Sequence, residues 1–200
     1  MDMQSTVRSS CLISSLLLSL VVIQPALAED FNFPGLSDTV IVYEDPLGIP
    51  TIKAKTQLDA LFMQGYMHAR DRFFQMDRDR KGAAGRAAEL FGESALEGDI
   101  KARTVGLERA AWKTWQALDD ESKGWLQAYA NGVNTYLANN PLPPEYAPLE
   151  ITKADPWTPV HTLLIFKGMT AQQGLDDELE EVDLTINLGT YSAYGAALGF

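Results

Sequence analysis

Residues 65–92 read GYMHARDRFFQMDRDRKGAAGRAAELFG. With the residues just before it, this stretch spaces Leu58, Phe62, Ala69, Phe73 and Met76 mostly three or four apart. That keeps them on one face of a helix with about 3.6 residues per turn. Gly82 and Gly85 mark a corner after the helix, and Gly92 closes a second, short one. Among and beyond the apolar residues lie Arg70, Asp71, Arg72, Asp77, Arg78, Asp79, Arg80 and Lys81. Charges this dense ordinarily form a solvated helix face. The sharper reading is that some of them are buried as pairs and hold the corner in one geometry.

Toward the N-terminus, Thr56 is placed to cap this helix, with Asp59 three residues on as the other half of a capping-box-like pair. Residues 39–43, TVIVY, are β-branched and aromatic and predict a strand. Asp45-Pro46-Leu47-Gly48 predicts a turn, and residues 49–54 the return strand of a hairpin. Both faces of the first strand are apolar, which predicts a hairpin covered on both sides. Residues 31–38 form a short lead-in containing Pro34-Gly35.

Residues 11–23, CLISSLLLSLVVI, make an apolar run too short to span a bilayer, and Ala26-Leu27-Ala28 follows as a small-x-small cleavage pattern. Residues 1–28 are therefore expected to be a secretory signal peptide, and the mature chain from Glu29 to be periplasmic or secreted with no membrane partner. An uncleaved anchor is the alternative. Cleavage removes Cys11, the only cysteine, and with it any disulfide, thiol nucleophile or cysteine metal site. The 200 residues suffice for one domain with a core, and a net charge of −11 excludes a nucleic-acid partner.

Toward the C-terminus, Asp99 is expected to cap a helix running through Leu118, with Leu107, Ala111, Trp115 and Leu118 as its apolar stripe. Asp119 is expected to cap the next, with Leu126, Tyr129, Val133 and Tyr136 or Leu137 inward. These aromatics belong to a core rather than to a ligand platform. Residues 139–148, NNPLPPEYAP, predict a semi-extended, non-helical connection. Thr158-Pro159 predicts a helix start, and the almost wholly apolar helix over 160–170 is expected to be buried.

Chemistry-bearing residues are few. His68 and His161 are the only histidines, and no HExxH, GxSxG, P-loop or GxGxxG pattern is present, so both are read as structural. The run DDELEEVD at 176–183 is the one candidate cation site. The plainer reading is of acids favouring a helix N-terminus.

Five segments occur in order: VIVYEDPLGIPTIKA from Val40, DALFMQGYMHARDRFFQMD from Asp59, GRAAELFG from Gly85, LQAYANGVNTYL from Leu126 and DPWTPVHTLLIFKGM from Asp155. In that order they resemble the N-terminal, α-chain part of the penicillin amidase family, the N-terminal-nucleophile hydrolases that include penicillin, cephalosporin and acyl-homoserine-lactone acylases. The resemblance implies an α+β, mostly helical segment with an N-terminal hairpin, part of a four-layer αββα fold. It implies a zymogen cut into an α chain, a spacer and a β chain that begins with the nucleophilic serine, whose amine serves as base.

Residues 29–200 would then be an incomplete domain whose partner is the β chain and whose substrate is a small N-acyl amide. No catalytic residue is assigned to it. Met169, Gln172 and Gln173 match acyl-pocket positions, and Glu181 a structural calcium ligand effective only in the assembled enzyme. The two glutamines replace an arginine and a phenylalanine found in members selecting a phenylacetyl group, so that preference does not carry over. Arg70 stands where glutamine is common. The chain alone is expected to be inactive, because Glu29 has no hydroxyl or thiol. The alternative is a stand-alone exported helical binding protein derived from this architecture.

Overall fold

A computed structural model describes residues 27–171. Within them the chain is mostly helical, with one antiparallel sheet of three strands in the order β1 (Leu27–Phe31), β2 (Val40–Glu44) and β3 (Pro50–Lys53). The expected hairpin is β2–β3, with Ile41 opposite Lys53 and Glu44 opposite Pro50. The turn between them is tied by Asp45, whose carboxylate accepts from the Leu47 and Ile49 amides at 2.9 and 2.8 Å. The third strand was not anticipated. Its Glu29, Asp30 and Phe31 pair with Val42, Ile41 and Val40, so these pairs survive if the chain is cut after Ala28. β1 also takes in Leu27 and Ala28, the last two residues of the expected leader.

Only one face of the hairpin is covered among the described residues. Val40 and Val42 are buried against Phe62, Met63 and Met67, while Tyr43 is exposed. Those three belong to α1 (Gln57–Ala84), the helix predicted by the apolar spacing. Thr56 caps it, accepting from the Asp59 amide at 3.1 Å. The Asp59 carboxylate is engaged chiefly elsewhere. It accepts from the amide and hydroxyl of Ser37 and pins the aromatic lead-in against the helix start.

The second pillar is α5 (Asp120–Asn139), capped as expected by Asp119, which accepts from the Ser122 amide at 2.7 Å. It crosses α1 at two glycines. A Cβ on Gly65 would lie 2.1 Å from the Tyr129 carbonyl oxygen, and one on Gly132 would lie 1.8 Å from that of Phe62. Backbones this close leave room for Ala69, Phe73, Met76, Ala130 and Val133 to form the main core above the crossing.

The helix expected from Asp99 to Leu118 is two helices, α3 (Leu96–Val105) and α4 (Leu107–Ala117), broken at Gly106 with φ 79°. Asp99 is buried inside α3. It caps a different helix, accepting from the amides of Ala87 and Ala88 at 2.7 and 2.8 Å, where α2 (Ala88–Phe91) begins. A carboxylate there satisfies donors that a helix start otherwise leaves unpaired. Three of the four expected stripe residues hold, with Ala111 fully buried and Leu107 and Trp115 packed beside it; Leu118 falls just past the end of α4, in extended backbone.

The proline-rich connection is not merely extended. Pro144–Leu149 forms a 3-10 helix that buries Tyr146 among Phe73 and Phe74. Pro144 fits because its missing N–H falls where a helix start has no acceptor to offer.

The last described element, α6, spans 159–171 and starts after Thr158 as predicted. It is covered on one side only. Val160 and Leu164 are buried against Ala84 and Ala111, but Phe166 is 70% and Met169 58% exposed. An apolar composition set the expectation of full burial, and no described element lies over the outer face. Among the described residues no helix is long and apolar enough to cross a membrane.

Candidate functional site

The charged run resolves into both of its readings. Arg78 and Asp79 pair with each other at the surface, whereas Asp77 and Arg80 are 1% and 3% exposed. These two lie on the buried stripe with Phe73, Met76 and Ala84, one turn apart. Arg80 Nε donates to Asp77 Oδ1 at 2.7 Å, and Asp77 Oδ2 accepts from the Tyr146 hydroxyl at 2.7 Å. Arg80 Nη2 donates to the Asp155 carbonyl at 2.8 Å, and Nη1 to the Pro156 carbonyl at 3.0 Å. Nη1 also contacts His161 Nδ1 at 3.0 Å. The guanidinium lies 5.1 Å from the centre of the Trp157 ring and 5.9 Å from that of Phe73.

Around this hub the corner is laced by further pairs, from the buried Lys81 and the half-buried Arg86 to exposed carboxylates. Lys81 binds Glu89 at 2.6 Å, and Arg86 binds both Glu89 and Asp155. The hydrogen bonds from Arg86, foremost, hold the carboxyls of Glu89 and Asp155 below their usual range. Trp157 is fastened through its backbone to the Asn134 side chain at 2.7 and 2.8 Å, and its indole N–H donates to Thr162 at 3.0 Å. No buried side-chain polar atom among the described residues lacks a partner.

This arrangement holds a shape and performs no acid–base chemistry. His161 Nδ1 accepts from the Thr158 amide at 3.0 Å as well as facing Arg80, so its proton sits on Nε2 and the ring is neutral. Burial first, then the Arg80 and Arg86 charges, push its pKa down to about 4. Burial likewise lowers His68, whose Nδ1 lies 2.9 Å from the Tyr129 hydroxyl, and raises Tyr129 to about 12. Neither histidine contacts a serine or threonine hydroxyl as a base would. Both are structural, as their sequence context indicates.

Of the residues assigned to the acyl pocket, Met169 is described, exposed on the outer face of α6 next to the exposed Phe166. Gln172, Gln173 and the calcium candidate Glu181 lie outside the described residues. Among the described residues no three His, Cys, Asp or Glu side chains gather as a metal site. The structure adds a groove of about 600 Å3 beside Arg72, the one residue of α1 with non-helical dihedrals. Arg70, Arg78, Tyr136, Pro143 and Glu145 contribute to its walls. Arg70 is already paired with Glu44 and Asp71, and Arg78 with Asp79.

Comparison with known proteins places this geometry. The sequence profile described as penicillin amidase matches residues 39–197. The penicillin acylase 2 proenzyme of Pseudomonas sp. (strain SE83) is 42% identical over 75% of this chain and 19% of its own length. The acyl-homoserine lactone acylase QuiP of Pseudomonas syringae pv. tomato is 36% identical over 80% of this chain and 20% of its own length. The chain thus spans about a fifth of the length of the curated relatives it matches. Among solved structures, a chain of the thermostable penicillin G acylase from Alcaligenes faecalis superposes with a TM-score of 0.64 at 26% identity, over 80% of this chain and 88% of that one.

Proposed function

The chain belongs to the penicillin amidase family, and from that premise we propose that it is the α-chain part of an exported amidohydrolase acting on a linear N-acyl amide. The acyl compound would be of the β-lactam side-chain or acyl-homoserine-lactone type, the two kinds named among its relatives. The observation that carries the proposal is a pair of coverages. The match takes in 19% of a penicillin acylase proenzyme but 88% of one chain of a solved penicillin acylase. A precursor divided into a short and a long chain accounts for both, with this sequence as the short one and the β chain as its partner in a four-layer αββα fold.

The division of labour follows from what the residues can do. Among the described residues neither histidine contacts a serine or threonine hydroxyl, so the nucleophile is assigned to the β chain. There an N-terminal serine can use its own amine to take up the hydroxyl proton, and donors aimed at the developing oxyanion lower the barrier. This chain contributes shape. Met169, with Gln172 and Gln173 beyond it, would line the acyl pocket and select chain length. Glu181 is proposed to give one carboxylate to a structural calcium ion, whose remaining oxygens, of the ~6–8 it takes, would come from outside the described residues. Calcium supplies only a link between segments in this reading.

Co-expression of residues 29–200 with the remainder of the precursor, followed by a screen of acyl amides of increasing chain length, tests the proposal. Hydrolysis with a chain-length optimum that moves in Met169→Ala supports it. An assembled protein that cleaves no acyl amide, or whose optimum ignores Met169, removes the activity or the pocket assignment respectively.

A further inference from the structure

Along its covered face, α6 meets mainly small side chains, with Leu107 and Trp115 partly buried in the same cluster. Leu164 and Val160 pack on Ala84 and Ala111, and a Cβ on Gly168 would sit 3.3 Å from that of Ala83. Faces built of alanine and glycine present shallow ridges, so packing alone gives weak preference for one rotation or register of the helix. Among the described residues, its side-chain hydrogen bonds to other elements are all at its beginning. Arg80 binds the carbonyls of Asp155 and Pro156 and faces His161 Nδ1. Asn134 grips the backbone of Trp157 from both sides. Thr158 N–H reaches His161, and Thr162 receives the Trp157 indole. These contacts come from three elements, α1, α5 and the first turn of α6 itself, and converge within eight residues of chain.

We propose that the Asp77–Arg80 pair, acting through His161 and the carbonyls of Asp155 and Pro156, is the positioning device that sets the register of α6 and hence where Met169 stands in the acyl pocket. This rests on the acylase reading above. Met169 lies eight residues past His161, ~12 Å along the helix axis at ~1.5 Å per residue. A tilt of ~5° at the first turn therefore moves it by ~1 Å, a displacement large enough to change how an acyl chain is held. A buried, fully paired guanidinium suits this role, because its fork geometry accepts one arrangement of partners where a methyl surface accepts several. Arg80 and His161 would thus govern specificity without touching substrate.

The test uses the assembled α/β protein with N-hexanoyl and N-decanoyl p-nitroanilide as probes, and hydrogen exchange of the 159–171 amides as a second readout. His161→Leu removes the acceptor at Nδ1, while His161→Asn keeps an oxygen close to that position. In the Leu variant the ratio of kcat/KM between the two anilides is expected to shift ~10-fold, mainly through KM, with ~10-fold faster exchange in α6. The Asn variant should restore both. Thr162→Val, a gentler loss at the same turn, should move both readouts in the same direction by less, and it serves if the Leu variant does not assemble. A ratio and an exchange rate within twofold of wild type in the Leu or Val variants would overturn the proposal, as would failure of Asn to restore what Leu loses. Inactivity of the wild-type assembly on both anilides would remove the acylase reading. The exchange measurement would still judge the anchor.

Discussion

Adding one methyl group at Gly132 probes the contact on which the helical half is built. The new Cβ would lie 1.8 Å from the Phe62 carbonyl oxygen, 2.8 Å from its carbon and 2.9 Å from the Tyr66 nitrogen. All three are backbone atoms of α1, so no rotamer change relieves the clash. The helices must part by ~1 Å or more in an interior packed as densely as an organic crystal. Opening a gap of ~0.5–1 Å forfeits roughly a quarter to a half of the attraction at each facing atom pair. Along this interface are Phe62, Tyr66, Ala69, Tyr129, Ala130 and Val133. Gly132→Ala should therefore cost ~3 kcal/mol or more, at the upper end of overpacking effects. For a domain of this size that lowers the melting midpoint by ~6–12 °C. Gly124 is the control, on the same helix, with nothing within 4 Å of its notional Cβ. Gly124→Ala should stabilise by ~0.5–1 kcal/mol through helix propensity alone. The assay is thermal unfolding of the assembled protein with both variants in parallel. A Gly132→Ala variant melting within ~1 °C of wild type would refute the close approach.

Three further outcomes follow from the hub and the proposed site. Asp77→Ala leaves Arg80 buried without its counter-ion and should cost ~3–5 kcal/mol, while the double variant Asp77→Ala, Arg80→Met should recover more than half; denaturant unfolding that finds the double worse than the single would contradict this. His161 is held neutral, with a pKa of about 4 against an ordinary 6.5. The unfolded chain therefore binds a proton that the folded one refuses between these values, and stability is full above pH 6.5 and falls as pH drops toward 4. The difference corresponds to ~3 kcal/mol, which screening of a half-buried ring brings to ~1–2 kcal/mol. Melts of wild type and His161→Asn across that window should show the slope flattened in the variant. Glu181→Gln should lower calcium retention and thermal stability of the assembled enzyme, read as a smaller response of the melting midpoint to chelator than in wild type.

Sequence pattern showed α1, the β2–β3 hairpin, the capping by Thr56 and Asp119 and the start of α6, because each depends on residues a few positions apart. It missed features set by contacts distant in sequence. Asp99 has the composition of a cap for its own helix, yet the donors it satisfies belong to Ala87 and Ala88. Tyr146 sits in a proline-rich run that reads as linker, and its hydroxyl finds Asp77 across 69 residues of sequence. The buried ion pair did leave a local trace. Asp77 and Arg80 fall at helical spacing from Phe73 and Ala84, on the apolar stripe rather than beside it. Charged residues on the inward phase of a helix must be paired there, which separates them from the solvated Arg78 and Asp79. Full burial of α6 was expected from composition alone, and composition carries no information on how many neighbours a helix has.

The central claim is that this chain shapes an acylase pocket while the nucleophile comes from elsewhere. Release of p-nitroaniline from an N-acyl p-nitroanilide tests it most directly, with residues 29–200 purified alone and, in parallel, assembled with a β chain bearing a free N-terminal serine. Shape contributes binding, and binding that is equal in ground and transition states does not lower the chemical barrier. The account predicts no release by the isolated chain above a boiled control and sustained turnover by the assembly. Turnover by the isolated chain that survives repurification would contradict it, since the attacking group would then lie within these residues.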